Sequence, residues 1–286
     1  MSTINVNTIN SNGNPNIEIS LPFRQSTSVS NNTSFALGYN TIANGPFSFT
    51  QGRETWATGD TSHAEGYRTT ASGMYSHVEG SYNIAIGKGS HAEGQYTTSS
   101  GRYSHSEGYI TSAIGDFGSH AEGGFTLAYG PNSHAEGYQS TAIGQTSHAE
   151  GNGTSSVGDR SHSEGFSTVA IGSGAHAEGW STTAVGFASH SGGRNTASFG
   201  QYSTASGYYS VASGDTSFIH SRNSSVTGDR SAVIGGQFIV GSANDTVYVP
   251  RLETAQNGEG IIMKSPNGTR YKLTVDNSGN LSVVLA

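Results

Sequence analysis

Histidine recurs along the chain with a fixed step. His63, His77, His91, His105, His120, His134, His148, His162, His176 and His190 are fourteen residues apart, with a single step of fifteen before His120. Nine of these ten have glutamate two residues later, while His190 has Gly192. Side chains at i and i+2 of a strand share one face. If each period is one strand of a stacked parallel ladder, the next His–Glu pair lies about 5 Å away. Two chemistries suit such a column. Imidazole and carboxylate together could hold transition metals such as zinc or nickel, which would make His63 to His176 a metal ladder. Alternatively, a hydrogen-bonded His–Glu ladder would offset the repulsion between stacked carboxylates. Either way stability should change between pH 5 and 7, because histidine titrates near 6.5. No other cofactor is indicated.

Other reactive residue types obey the same clock, which argues against catalysis. An active site needs a singular, irregular constellation. Here each serine beside a histidine is its sequence neighbour, on the opposite face of a strand, and is not a nucleophile with its base. GxxxxGK[ST] is absent, so no phosphate loop is expected. A non-enzyme is predicted. Aromatic residues form a second column, directly after the glycine that closes each histidine strand: Tyr67, Tyr109, Tyr138, Phe166, Trp180 and Tyr208. They could stack on the sugars of a receptor glycan or pack between chains. Asp60, Asp116, Asp159, Asp215 and Asp229 follow the other glycines and read as turn formers.

The element that must position these residues is set by glycine. It occurs every seven residues from 38 to 115, resumes at 123, runs to 214, and returns at 228 and 235, with Ser221 in the skipped slot. Two kinds of heptad alternate, Ser-His-Ala-Glu-Gly (Ser62–Gly66) and Thr-x-Ala-x-Gly (Thr111–Gly115), so the true repeat is fourteen. A coiled coil would reject a glycine per heptad, and collagen needs one every third residue. Within each heptad small and variable residues alternate, which is strand patterning. Fifteen rungs over residues 34–235 would stack into a rod of roughly 70 Å. Glycine is expected at the corners, where positive φ and close backbone approach are needed.

Counting back from each glycine, positions −2 and −4 are small and should face inward. Positions −3 and −1 should face outward. On the Thr-x-Ala-x-Gly strand they include Ile84, Ile86, Ile114, Leu127, Tyr129, Ile143, Val157, Val169, Ile171, Val185 and Phe199. A greasy stripe of that length should be covered, and three-fold self-association suits a rod. The histidine strand would then face away from the axis or lie near the seam between chains. Hydrophobic residues are only 33% of the 286, too few for a thick core. Net charge is −7, without basic clusters, which argues against nucleic acid as a partner. No apolar run is long enough to insert in a membrane, and there is no cysteine for disulfides or thiolate zinc sites.

Residues 1–33 are polar, with an alternating stretch at 16–21, and read as a cap or attachment segment. Residues 236–286 hold strand patterns at 246–252, 260–264, 271–275 and 281–285. Turn signals at 265–268 and 276–279 predict a small antiparallel unit, either a cap or a receptor-binding tip.

The repeats resemble the YadA-like heads of trimeric autotransporter adhesins. Asn83-Ile84-Ala85-Ile86-Gly87 is close to that family's Asn-Ser-Val-Ala-Ile-Gly motif. The Ser-His-Ala-Glu-Gly variant is similar to repeats of bacteriophage tail and appendage proteins. The resemblance covers about 200 residues. It implies an all-β fold, a left-handed parallel β-roll that forms a homotrimer along its length. The start MSTINVNTIN does not read as a secretory signal, and no stalk heptads or anchor barrel are recognised. The expected function is therefore a structural fibre on the surface of a phage virion, made in the host cytoplasm. Its expected partners are its own copies, other virion proteins and a host cell-surface glycan or protein. A bacterial adhesin head and a metal- or ice-binding solenoid are the alternatives.

Overall fold

The computed structural model describes residues 27–29, 33–252, 261–276 and 278–286. All its regular elements are strands; among the described residues no helix is long and apolar enough to cross a membrane. Two sixteen-stranded parallel sheets run through the first unit, and consecutive strands alternate between them. One carries the histidines, the other the apolar residues. In the histidine sheet His91 pairs with His77 and His105, and in the other Thr98 pairs with Ile84 and Ser112. Each turn of the β-solenoid is thus one fourteen-residue repeat in register with the next.

The inside is as thin as the composition requires. One core cluster runs Ala57, Ala64, Ala71, Val78, Ala85 and Ala92, drawn alternately from the two sheets, and all six are fully buried. Buried Ser and Thr fill position −4, and several of the serines satisfy turn carbonyls. The hydroxyls of Ser62, Ser76, Ser90 and Ser147 each donate to the carbonyl of the glycine three residues earlier, at 2.7 Å. Asn83, fully buried, donates to the carbonyls of Glu79 and Gly94 and accepts from the amide of Thr97. Main-chain pairing and these small polar contacts replace a conventional apolar core.

The glycines have a sharper role than corner-turning. A Cβ built on Gly144 would lie 2.1 Å from the Gly158 carbonyl oxygen, and one on Gly137 2.2 Å from that of Gly151. The repeat glycines from Gly38 to Gly228 all lie this close to the next turn, so a side chain is excluded there. Gly137 also has φ +94°, but the glycines of the apolar strands have no positive φ. The left-handed residue falls two positions later, and most types occupy it, including Tyr75, Tyr96, Ile110 and Thr146. Cross-turn hydrogen bonds hold it: the amide of Tyr75 donates to the carbonyl of Asp60, and that of Tyr96 to Ser81. The corner aspartates act across turns too. Asp116, Asp159 and Asp215 accept the amides of Arg102, Gln145 and Gln201 in the preceding turn.

Irregularities are absorbed where contact is loosest. The extra residue before His120 is Gly118, which projects at a corner and leaves His105 opposite His120. Ser221, in a glycine slot, would meet the next turn; there the ladder shifts register across His220 and Arg222, through Gly235 and Gly236. A Cβ on Gly235 meets nothing within 4 Å, and the Ser221 hydroxyl donates to the Gly236 carbonyl. The ladders go one turn beyond Gly235: Val240–Gly241 pairs with Ser225–Val226, and Val247–Tyr248 with Ala232–Val233. Of the strand pattern at 246–252, Val247–Tyr248 therefore joins the parallel roll, because Val233 and Tyr248 continue the inner packing, whereas 249–252 belong to the second unit.

The second unit is a three-stranded antiparallel sheet of Ile261–Lys264, Arg270–Val275 and Leu281–Leu285. Its turns end on Gly268 and Gly279, both at φ +85°, where the amides donate back to Ser265 and Asp276. At the N-terminal end Thr27–Val29 pairs with Thr41–Ala43. The alternating stretch at 16–21 lies outside the described residues.

Two substitutions separate close approach from backbone conformation. Gly144→Ala, which meets backbone at 2.1 Å without any positive φ, should cost at least about 2 kcal/mol. Gly153→Ala, at φ +65° with its nearest neighbour 3.6 Å away, should cost about 1 kcal/mol. Denaturation midpoints of the two variants compare them; equal losses would remove the close-approach account.

Candidate functional site

In-register stacking turns the sequence period into a column of rings. All ten repeat histidines stack face to face, with centroids 4.7–5.0 Å apart from His63 to His190. Phe35 and Phe49 continue the column towards the N-terminus, Phe49 edge-on to His63. Beside it runs the glutamate column. The glutamates, and not the histidines, line a groove floored by glycine, about 700 Å³ beside Glu79 to Glu122 and about 390 Å³ beside Glu136 to Glu178.

The hydrogen-bonded His–Glu ladder does not form over most of this length. His120 Nε2 is 3.7 Å from Glu122 and 3.9 Å from Glu107; His148 Nε2 is 3.7 Å from Glu150 and 3.9 Å from Glu136. Such gaps exceed a hydrogen bond. Only His190 approaches one, 3.2 Å from Glu178. Nε2 of His63, His77, His91, His105, His120, His134, His148, His162 and His176 is occluded from solvent and has no hydrogen-bond partner. An occluded polar atom left so costs on the order of 1 kcal/mol or more.

Charge on the two columns follows from crowding. Burial, then the neighbouring imidazoles, hold His63, His91, His120, His134, His148, His162 and His176 below the ordinary histidine range. Stacked carboxylates cannot all ionise. Hydrogen bonding to Glu107 and Glu79 pushes Glu93 up to about 7, and bonding to Glu136 and Glu107 does the same for Glu122. Glu164, bonded to Glu150, is also raised to about 7. The acceptors Glu79, Glu107 and Glu150 are correspondingly lowered. At neutral pH these seven imidazoles are therefore mostly uncharged, beside carboxylates that share protons.

The aromatic column is more complete than its sequence signal. Tyr67, Tyr109 and Tyr138 occupy one corner, and Tyr82, Tyr96 and Phe125 fill the turns between them. These three sit one residue later, at the left-handed position, which reading a single offset from glycine misses. Searching both residues after each glycine would have found them. Phe166 stacks on Trp180 at 4.4 Å, and Arg194 lies over both Trp180 and Tyr208. Asn152 and Gly153 separate the two runs.

On the other sheet the apolar residues resolve into two columns. Position −1 is unbroken over seven successive turns: Ile114, Tyr129, Ile143, Val157, Ile171, Val185 and Phe199. Position −3 is interrupted, with Ile84, Leu127 and Val169 among Thr and Ser. Ile86 is 53% exposed and Phe199 50% in the single chain.

Residues 135–161, 163–189 and 191–218 match the YadA head domain repeat (2 copies), each match about two turns long. These turns are thus similar to that head-domain repeat. No curated protein matches the chain.

The two columns oppose each other in pH dependence. The depressed histidines contribute stability above pH 6.5 that is lost as pH falls through their folded values. The raised glutamates contribute stability below pH 4.5 that is lost as pH rises through about 7. Between pH 5 and 6.5 the two effects overlap, and the histidines are more numerous, so the melting temperature should rise to about pH 6.5 and level off above about 7. The triple variant Glu93→Gln, Glu122→Gln, Glu164→Gln, which removes the opposing glutamate effect, should steepen the rise. Circular-dichroism melts in chelator from pH 5 to 9 check both; a flat profile would contradict the proton-sharing account.

Proposed function

We propose that the protein is a non-enzymatic homotrimeric fibre of a bacteriophage virion that attaches to the host surface or supports the protein that does. One observation carries this reading: the unbroken apolar column from Ile114 to Phe199, exposed on a single chain. An apolar strip this long on a β-solenoid is the surface that sister chains cover, and cyclic closure makes a finite assembly. The YadA head repeat, whose relatives trimerise, supports the same assembly. The Ser-His-Ala-Glu-Gly units favour a virion over a secreted adhesin. Other virion proteins are then the partners at one end, and a host glycan or protein is the receptor.

Attachment is mechanical and multivalent. A stiff rod presents three copies of one surface, so avidity compensates for weak single contacts. The exposed rings of Phe166 and Trp180, with Arg194 alongside, suit a glycan receptor. Catalysis has no place in this reading, because every Ser, His and Glu of the groove is repeated by translation. The YadA match itself favours a second reading, the head of a bacterial surface adhesin.

Light scattering on the purified protein should give three chain masses. Ile143→Asp with Ile171→Asp should reduce it to one, by burying charge in the seam. A monomeric wild type would remove the proposal. Immunogold labelling separates the two readings: label on virions supports the fibre, and label on the bacterial envelope alone supports the adhesin.

A further inference from the structure

The occluded histidine nitrogens remain without a partner in everything described so far. Each Nε2 points at carboxylate oxygens of its own turn, of the preceding one, or of both. Representative separations are 3.7 Å for His63–Glu65, 3.6 Å for His105–Glu93, 3.9 Å for His162–Glu150 and 3.6 Å for His176–Glu164. These are too long for hydrogen bonds. They are close to the separation of two ligand atoms that each lie about 2.0–2.2 Å from one tetrahedral zinc ion. Triads recur along the column with all ligand atoms within 4.8 Å of one another. They include His120–Glu122–His134 and His148–Glu150–His162, and, nearer the N-terminus, Glu65–His77–Glu79. The glycine floor leaves the glutamate side open to a fourth ligand from water.

We propose that the His–Glu groove binds a file of divalent transition-metal cations, zinc-like in preference, each held by imidazole nitrogens and a carboxylate of adjacent turns. Nitrogen and carboxylate oxygen together select this class over calcium or magnesium, which take all-oxygen shells. If each imidazole nitrogen serves one ion, the file holds about four ions per chain, one for every two turns. The ions link turn to turn on the outer face and complete the valence of the occluded nitrogens. The cations stiffen the solenoid from outside, where its thin alanine core supplies little.

The experiment is zinc binding by the tag-free, full-length protein at pH 7.5, by calorimetry and by metal analysis after gel filtration. Several equivalents per chain are expected, with a rise in melting temperature. Cobalt substitution should give the intense visible absorption of a tetrahedral site. Glu122→Gln, Glu136→Gln and Glu150→Gln together should at least halve the stoichiometry and leave the circular dichroism native-like. If that variant does not fold, His134→Asn alone should remove about one equivalent. Less than one equivalent per chain at 100 µM free zinc would overturn the proposal, as would stoichiometry unchanged in a folded variant. The oligomeric state is read separately, so failure here leaves the trimer reading intact.

Discussion

The whole structure depends on backbone passing over backbone with no side chain between. At the repeat glycines from Gly38 to Gly228 the next turn's carbonyl oxygen occupies the place of a Cβ. That contact fixes the register, and register aligns everything else. Because turn n sits over turn n+1 without offset, a residue type that recurs every fourteen positions becomes a straight column. Histidine becomes a stack of rings, glutamate a line of carboxylates, and isoleucine and valine an apolar strip. Where the contact is relaxed, at Ser221, the register slips and the histidine column has already ended.

Stability comes from a source unlike that of a globular domain. The interior is mostly alanine, serine and threonine, with Val78 and Asn83 and, near the C-terminal end, Ile219, Val226 and Val233 as larger buried side chains. Cross-turn amide ladders, corner aspartates and serine-to-carbonyl bonds take the place of bulky packing. Such a solenoid has nearest-neighbour energetics, so each turn depends on the two beside it. The outer faces then bear a large share of the specificity: one is apolar and suited to sister chains, the other polar and crowded with ionisable groups.

Much of this was legible in the sequence, since translation symmetry is written directly into residue spacing. The inward positions, the two outer faces, the C-terminal hairpins and the histidine column all follow from the glycine clock. What escaped depends on ångström-scale geometry. The histidine spacing does not disclose that Nε2 stays beyond hydrogen-bond distance of glutamate, 3.7 Å at His63 and 3.6 Å at His105. Nor does it disclose that left-handed backbone falls two residues after glycine, which hid Tyr82, Tyr96 and Phe125 from the aromatic column. The extra turn through Val240 and Tyr248 was masked because the repeat lengthens to fifteen there. The corner aspartates looked like local turn formers because their acceptor role spans fourteen residues.

The most direct test is a crystal structure of the full chain, read at the glycine pairs. The account predicts Gly137 opposite Gly151 and Gly144 opposite Gly158, in parallel strands about 4.8 Å apart. Any other pairing of those glycines, or a gap between turns wide enough for a side chain, would contradict it.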